Sequence, residues 1–202
     1  MSTARTSARQ LGTAVRGVLV LTAALGIVYP LAVTGVGQVA AHHQANGSMV
    51  SVDGEAVGSA LIGQSFTDAV GAALPEWFQS RPSAAGDGYD GGASSGSNLG
   101  PTNPELAAAI DERRAAAAAL EGIDPGEVPA DALTASSSGL DPHISPEYAR
   151  LQADRVAAER GLDAGEVRDL VEAAVEEPVA GVLGGSRVNV LKLNISLSEL
   201  DT

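Results

Sequence analysis

At 202 residues, with a formal net charge of −13 and no cysteine, the chain has room for one ordinary domain plus a membrane segment, and none for disulfide or thiolate chemistry. The charge is uneven. Arg5, Arg9 and Arg16 are the only charges before Asp53, and the remainder sets all 25 acids against nine of the 12 bases, a balance of −16. An acidic surface without a basic stripe repels phosphate backbones, which excludes nucleic acid as a partner.

From Gly17 to Ala41 the chain carries no charge. As a helix this stretch reaches roughly 37 Å, enough to cross a ~30 Å hydrocarbon core with some tilt. The three arginines precede it and no base follows closely, so the positive-inside bias predicts a cytoplasmic N-terminus (1–16), a span (17–41) and an extracytoplasmic remainder (42–202). Thr22 and Gly26 set small side chains four apart on one face. With Pro30, where a kink is expected, they are candidates for packing on another helix. A cleaved signal peptide is the alternative, with Val39-Ala40-Ala41 as a small-residue cleavage site, although the apolar run is longer than the usual ~7–15 residues.

Beyond the span, residues 42–47 read as a short polar exit. Ser48–Val52 reads as a strand, Asp53-Gly54 as a hairpin turn, and Ala56–Phe66 as the returning strand. Leu74-Pro75-Glu76-Trp77-Phe78 concentrates aromatics in a chain with one Trp and two Phe, and is expected to anchor a loop to the core. Residues 83–100 form a long loop. A helix then opens with Asn103 as N-cap and Pro104 at its first position, shows Leu106, Ile110 and Leu120 near one face, and ends at Gly122.

A second loop, with Pro125, Pro129 and Pro142, leads to a helix capped by Ser145-Pro146 and ended near Arg160-Gly161. A third helix starts at Asp163, with Glu166 completing a capping-box pattern, carries Val167, Leu170, Val171, Ala174 and Val175 as its apolar stripe, and closes at Pro178. Val188–Leu193 reads as a last strand, paired with the early hairpin. The order of elements predicts an α+β fold with one N-terminal transmembrane helix, a small sheet and about three helices.

The chemistry-bearing motifs are few. There is no phosphate-binding G-x-x-x-x-G-K-[ST] run and no Asp-Lys-Thr-Gly phosphorylation loop. Adjacent His42-His43 cannot readily face one ion on a regular element, and Asp87 and Asp90 lack the remaining ligands of a calcium loop. Ser136-Ser137-Ser138-Gly139-Leu140-Asp141-Pro142-His143 brings Ser, Asp and His within eight residues. Pro142 stiffens the link between Asp141 and His143, so a local triad is hard to arrange and a structural role is expected. Asp124 and Asp131 read most simply as solvated loop charges. If the two long loops fold onto one side, they make an irregular polar surface suited to a partner.

The same loops carry a resemblance. Ser95-Gly96-Ser97-Asn98-Leu99-Gly100-Pro101-Thr102-Asn103-Pro104, Val128-Pro129-Ala130-Asp131 and Ser138-Gly139-Leu140-Asp141-Pro142-His143-Ile144-Ser145-Pro146 are similar to the C subunit of Kdp-type potassium-transporting P-type ATPases. Leu61-Ile62-Gly63-Gln64, Arg81-Pro82-Ser83-Ala84, Arg155-Val156-Ala157, Arg160-Gly161 and Val188-Asn189-Val190-Leu191 extend the likeness over nearly the whole chain. Ser80 and Ser137 stand where the family pattern has glycine, and serine costs something there if either backbone has positive φ.

The resemblance implies a non-catalytic subunit that uses no cofactor of its own, within a complex that uses ATP, Mg2+ and K+. Its implied partners are the membrane, a channel-like A subunit and an ATP-hydrolysing B subunit, with a small F subunit as a further candidate. It also implies a soluble domain over the extracytoplasmic potassium entrance and a role in assembly. Ser97, Asn98, Gly100, Pro101, Thr102, Asn103, Pro104, Asp131, Gly139, Asp141, Pro142, His143 and Ser145 are the candidate subunit-interface or structural loop positions. The competing reading is a secreted or membrane-anchored binding protein.

Overall fold

The computed structural model describes residues 2–200. They form a mixed α and β fold in two compact units, divided after Met49.

The first unit is helical. Helix α1 (Ser2–Ala23) passes through a π-helical turn (Ala24–Val28) into α2 (Tyr29–Ala40), and α3 (His42–Ala45) adds a single turn. Thr6–Ala40, 35 residues, is long and apolar enough to cross a membrane. The helix begins well before Gly17, so the basic segment is helical too. Its apolar side chains, from Leu11 to Val39, are exposed. A π turn stands just before Pro30, the position where a kink is expected. The polar exit is ordered, with Asn46 Nδ2 lying 3.1 Å from Gln38 Oε1 and 3.3 Å from His42 Nδ1.

The second unit opens with a hairpin, β1 (Met49–Val52) and β2 (Glu55–Ser59), turned by Asp53 and Gly54, both at positive φ (52° and 84°). That pair of left-handed residues matches the twist of the strands it joins. The returning strand is shorter than expected. After Ser59 the chain turns, Ile62 N–H donating to Ser59 O, and Gly63 N–H goes to Leu140 O rather than to β1.

Helix α4 (Pro104–Glu121) starts and ends where its caps place it. Asn103 Oδ1 accepts from Glu105 N–H at 2.8 Å, and Gly122 takes φ 68°. Helix α5 (Pro146–Arg160) follows the same grammar, with Ser145 Oγ accepting from Tyr148 N–H and Gly161 at φ 67°. In α6 (Ala164–Ala173), Asp163 Oδ1 accepts from Gly165 and Glu166 N–H. This helix stops before Pro178, because Val175-Glu176 forms strand β4.

The C-terminal reading needs correction. Only β5 (Arg187–Asn189) is extended, and α7 (Val190–Glu199) follows directly. Asn189 Oδ1 caps α7 by accepting from Lys192 N–H, and Val190, Leu191, Leu193, Asn194 and Leu197 are buried at helical spacing. Strand β5 pairs not with the hairpin but, antiparallel, between β3 (His143–Ile144) and β4.

The core lies where α5, α6, α7 and β5 meet, with Ala149, Ala153, Val156, Val167, Val171, Val188, Leu193 and Leu197 buried. Phe78 is the largest of the fully buried side chains, which bears out the anchoring segment. Two amide side chains hold it. Asn194 accepts from Phe78 N–H and donates to Phe78 O, both at 3.0 Å, and Gln152 does the same for the backbone of Gln79 at 2.6 and 3.2 Å. An irregular segment thus gets the backbone pairing that a neighbouring strand would otherwise supply.

Candidate partner-binding loops

The two long loops meet. Ser95 N–H and Ser94 Oγ both donate to Ser138 O, at 2.9 and 3.0 Å. Ser83 Oγ donates to Gly139 O at 2.6 Å while accepting from Tyr89 N–H at 2.8 Å. Gly139 is at φ 68°, and a Cβ there would lie 2.5 Å from Ser95 O and 2.8 Å from Ala85 N, so the approach of the loops requires glycine.

One arginine bridges them. Arg81 donates through Nε and Nη2 to Thr134 O and through Nη1 to Asp141 Oδ2 at 3.0 Å. The other Asp141 oxygen takes the His143 ring Nδ1 and the His143 N–H, each at 3.1 Å. Burial raises the Asp141 carboxyl, but the two His143 hydrogen bonds, with the charges of His143 and Arg81, outweigh it and hold the group below its ordinary value of 3.8. Tyr89, at φ 56°, donates its hydroxyl to Arg81 O, and its phenol is pushed up to about 12 chiefly by burial. A groove runs from this junction to α4, lined by Ser80, Arg81, Tyr89, Arg113 and Tyr148.

The candidate residues therefore separate into four groups. Gly139, Asp141, Pro142 and His143 belong to the junction, and Pro142 O accepts the first amide of α7, that of Val190. Asp131 and Ser145 form an extended helix cap: Asp131 Oδ2 accepts from Ser145 N–H at 2.6 Å and Oδ1 from Ser145 Oγ at 3.0 Å. Asp131 is thus a bound anchor rather than a solvated charge, and Asp124 likewise caps the turn Pro125–Glu127 in a capping box. Ser97, Asn98, Gly100, Pro101 and Thr102 make an exposed arch leading to the Asn103-Pro104 helix start, with Asn98 at φ 54° donating to Gly96 O. Thr22, Gly26 and Pro30 lie in the first unit.

Asp141 orients His143 as the acid of a triad would. The serine hydroxyls face elsewhere: Ser138 Oγ accepts from Leu140 N–H at 3.1 Å, and Ser136 Oγ lies 3.3 Å from it. Neither Ser80 nor Ser137 has positive φ, so the two departures from glycine bring no backbone strain, and Ser80 Oγ donates to Gln64 O. Tyr89 is not among the positions the sequence singles out, and Ser83 enters only through the resemblance of Arg81-Pro82-Ser83-Ala84. Their signal was slight, a motif Arg81-Pro82-Ser83 and one of three tyrosines set among glycines.

Residues 11–199 match the family described as KdpC, the c chain of the K+-transporting ATPase. Among relatives named potassium-transporting ATPase KdpC subunit, that of Kineococcus radiotolerans is 53% identical over 189 residues, covering 94% of this chain and 93% of its own. That of Caulobacter vibrioides is 54% identical over 178 residues, covering 87% and 86%. That of Mycobacterium tuberculosis is 51% identical over 194 residues, covering 95% and 99%. With residues 11–199 matched by the family and relatives of 51–54% identity over most of their length, the chain belongs to the KdpC family, the accessory c chain of potassium-transporting ATPases.

Proposed function

We propose that this chain is the non-catalytic subunit that assembles and stabilises an ATP-driven, high-affinity potassium uptake complex. The observation that carries the reading is the helix Thr6–Ala40. It is charge-free after Arg16, and its exposed apolar side chains need lipid or other helices to cover them. With Arg5, Arg9 and Arg16 on one side of the span, the N-terminus is cytoplasmic, and residues 42–202 form the extracytoplasmic domain. Its partners are a channel-like A subunit and an ATP-hydrolysing B subunit, with a small F subunit as a further member.

The joined loops are the contact surface for those partners and stand over the potassium entrance. An acidic exterior raises the local cation concentration there by a modest, salt-screened amount. The membrane-bound and loop features together favour this reading over a secreted binding protein.

The test is mass spectrometry of whatever copurifies with the chain from its native membrane in mild detergent. Stoichiometric channel-like and P-type ATPase subunits are expected. Recovery of the chain alone, with its N-terminus removed near Ala41, would overturn the assignment.

A further inference from the structure

Pro30 stands inside a helix that must satisfy its own backbone. Its ring leaves position 30 without an N–H. The preceding turn is π-helical, and the Tyr29 amide donates five residues back, to Ala24 O. The amide that would reach Leu25 O in an α-helix is thus engaged elsewhere, and the one that would reach Gly26 O is absent. Leu25 O and Gly26 O, two consecutive carbonyls, thus both lack the amide an α-helix would bring them, just where the chain passes into Tyr29–Ala40.

The helix offers no side-chain donor of its own for them. Between Val18 and Val33 only Thr22 and Tyr29 carry hydroxyls. A helical threonine bonds carbonyls that precede it, and the Tyr29 hydroxyl sits at the far end of a rigid ring. Gly26 also leaves the pair uncovered: a Cβ there would meet only Thr22 Cγ2, at 3.8 Å. Gly26 stands about 14 Å along the helix from Gly17, deep within a ~30 Å hydrocarbon core where lipid tails donate nothing. Single π turns inside α-helices often mark functional sites.

We propose that this widened turn docks a transmembrane helix of a partner subunit, one of whose side chains donates a hydrogen bond to Leu25 O or Gly26 O. The inference rests on the function proposed above and names the point of contact. The chemistry required is a Ser, Thr, Asn or Gln at mid-membrane depth on a helix that approaches closely over Gly26.

The test places a benzoylphenylalanine photocrosslinker at Leu19 or at Leu21 of the full chain in native membranes. Leu19 lies seven residues before Gly26 and shares its face, whereas Leu21 is turned away from it. Both are well exposed, at 64% and 59%, so both sites accept the probe. The expected result is capture of a partner membrane subunit from Leu19 and not from Leu21. Capture from Leu19 should be lost when Gly26→Leu fills the notch, and weakened by Pro30→Ala, which returns an amide to Gly26 O.

Equal capture from both positions, capture of only a second copy of this chain, or no capture from Leu19 while the subunits still copurify would each overturn the docking site. Undiminished capture in Pro30→Ala would overturn the donor. If the probe-free chain copurifies with no partner at all, the proposed function fails first and the docking site with it.

Discussion

Replacing Asn194 with Leu tests whether side-chain amides hold the irregular part of the domain in place. Phe78 is wholly buried, and both its N–H and its C=O are bonded to the one Asn194 side chain. Leucine has the same branched skeleton of heavy atoms but neither donor nor acceptor, so two buried backbone groups lose their partners together. Each costs about 1–3 kcal/mol. The expected destabilisation is about 2–6 kcal/mol, a large fraction of the ~5–15 kcal/mol that holds a typical domain together. For a domain of this size that corresponds to a fall in Tm of about 5–15 °C.

Trp77, the only tryptophan, is next to Phe78 and reports the event through its fluorescence during thermal unfolding of the full chain in detergent. Ser198→Ala on the same helix removes only a local bond to Asn194 O and should change stability by no more than about 0.5 kcal/mol. If Asn194→Leu behaves like Ser198→Ala, the pairing is not what holds Phe78, and the account of the segment fails.

Three further outcomes follow from the same geometry. Gly139→Ala forces a Cβ against Ser95 O and Ala85 N at positive φ, and should cost about 1–3 kcal/mol or more, with faster proteolysis of the 83–100 loop. Gly161→Ala, at φ 67° but with nothing within 4 Å, should cost only about 1 kcal/mol in the same denaturation assay. Arg155 pairs with Glu121 at 3.0 Å, with 8% and 1% of the two side chains exposed, and also donates to Pro75 O, Trp77 O and Gln152 Oε1. Arg155→Met should therefore cost about 3–5 kcal/mol, and a double-mutant cycle with Glu121→Gln should recover part of it.

The Asp141 carboxyl is held below its ordinary 3.8, so its stabilising contribution is present above that value and is lost as pH falls through the lowered one. Asp141→Asn should flatten that acid limb in pH-dependent unfolding. Glu121 runs the other way. Burial raises it against the pull of Arg155, so its contribution is present below 4.5 and is lost as pH rises through the raised value.

The parts of the fold legible in the sequence were those fixed by neighbours three or four residues away. Asn103-Pro104 with Gly122, Ser145-Pro146 with Gly161, and Asp163 placed three helix starts and two helix ends, because a cap joins a side chain to an amide within its own turn. The C-terminal helix was misread because a short apolar run such as Val-Asn-Val-Leu-Lys-Leu does not by itself separate strand from helix, and because Asn194 interrupts the apolar stripe at a buried position. What makes that polar residue fit is Phe78, 116 positions earlier. The junction was half legible. Asp141 and His143 stood together in a motif, but nothing local announces that Arg81 and Ser83 will find Thr134 O, Asp141 and Gly139 O. Carbonyl acceptors occur at every residue and carry no signature of their own.

That pattern of bonding bears on what the loops can do. Between Ser59 and Pro104 the domain has no helix and no named strand, yet this stretch enters the core and meets the second loop. It does so through side chains that reach across the chain: Asn194 and Gln152 from helices, Arg81 and Ser83 from within the stretch. A surface ordered in this way has already lost its backbone freedom during folding, so a partner that binds it need not order it again. Loops held by their own strands would tie the surface to the regularity of a sheet. Loops held by long-range side chains can keep an irregular shape and still be rigid, which is what a subunit needs if it recognises its neighbours by form and catalyses nothing itself.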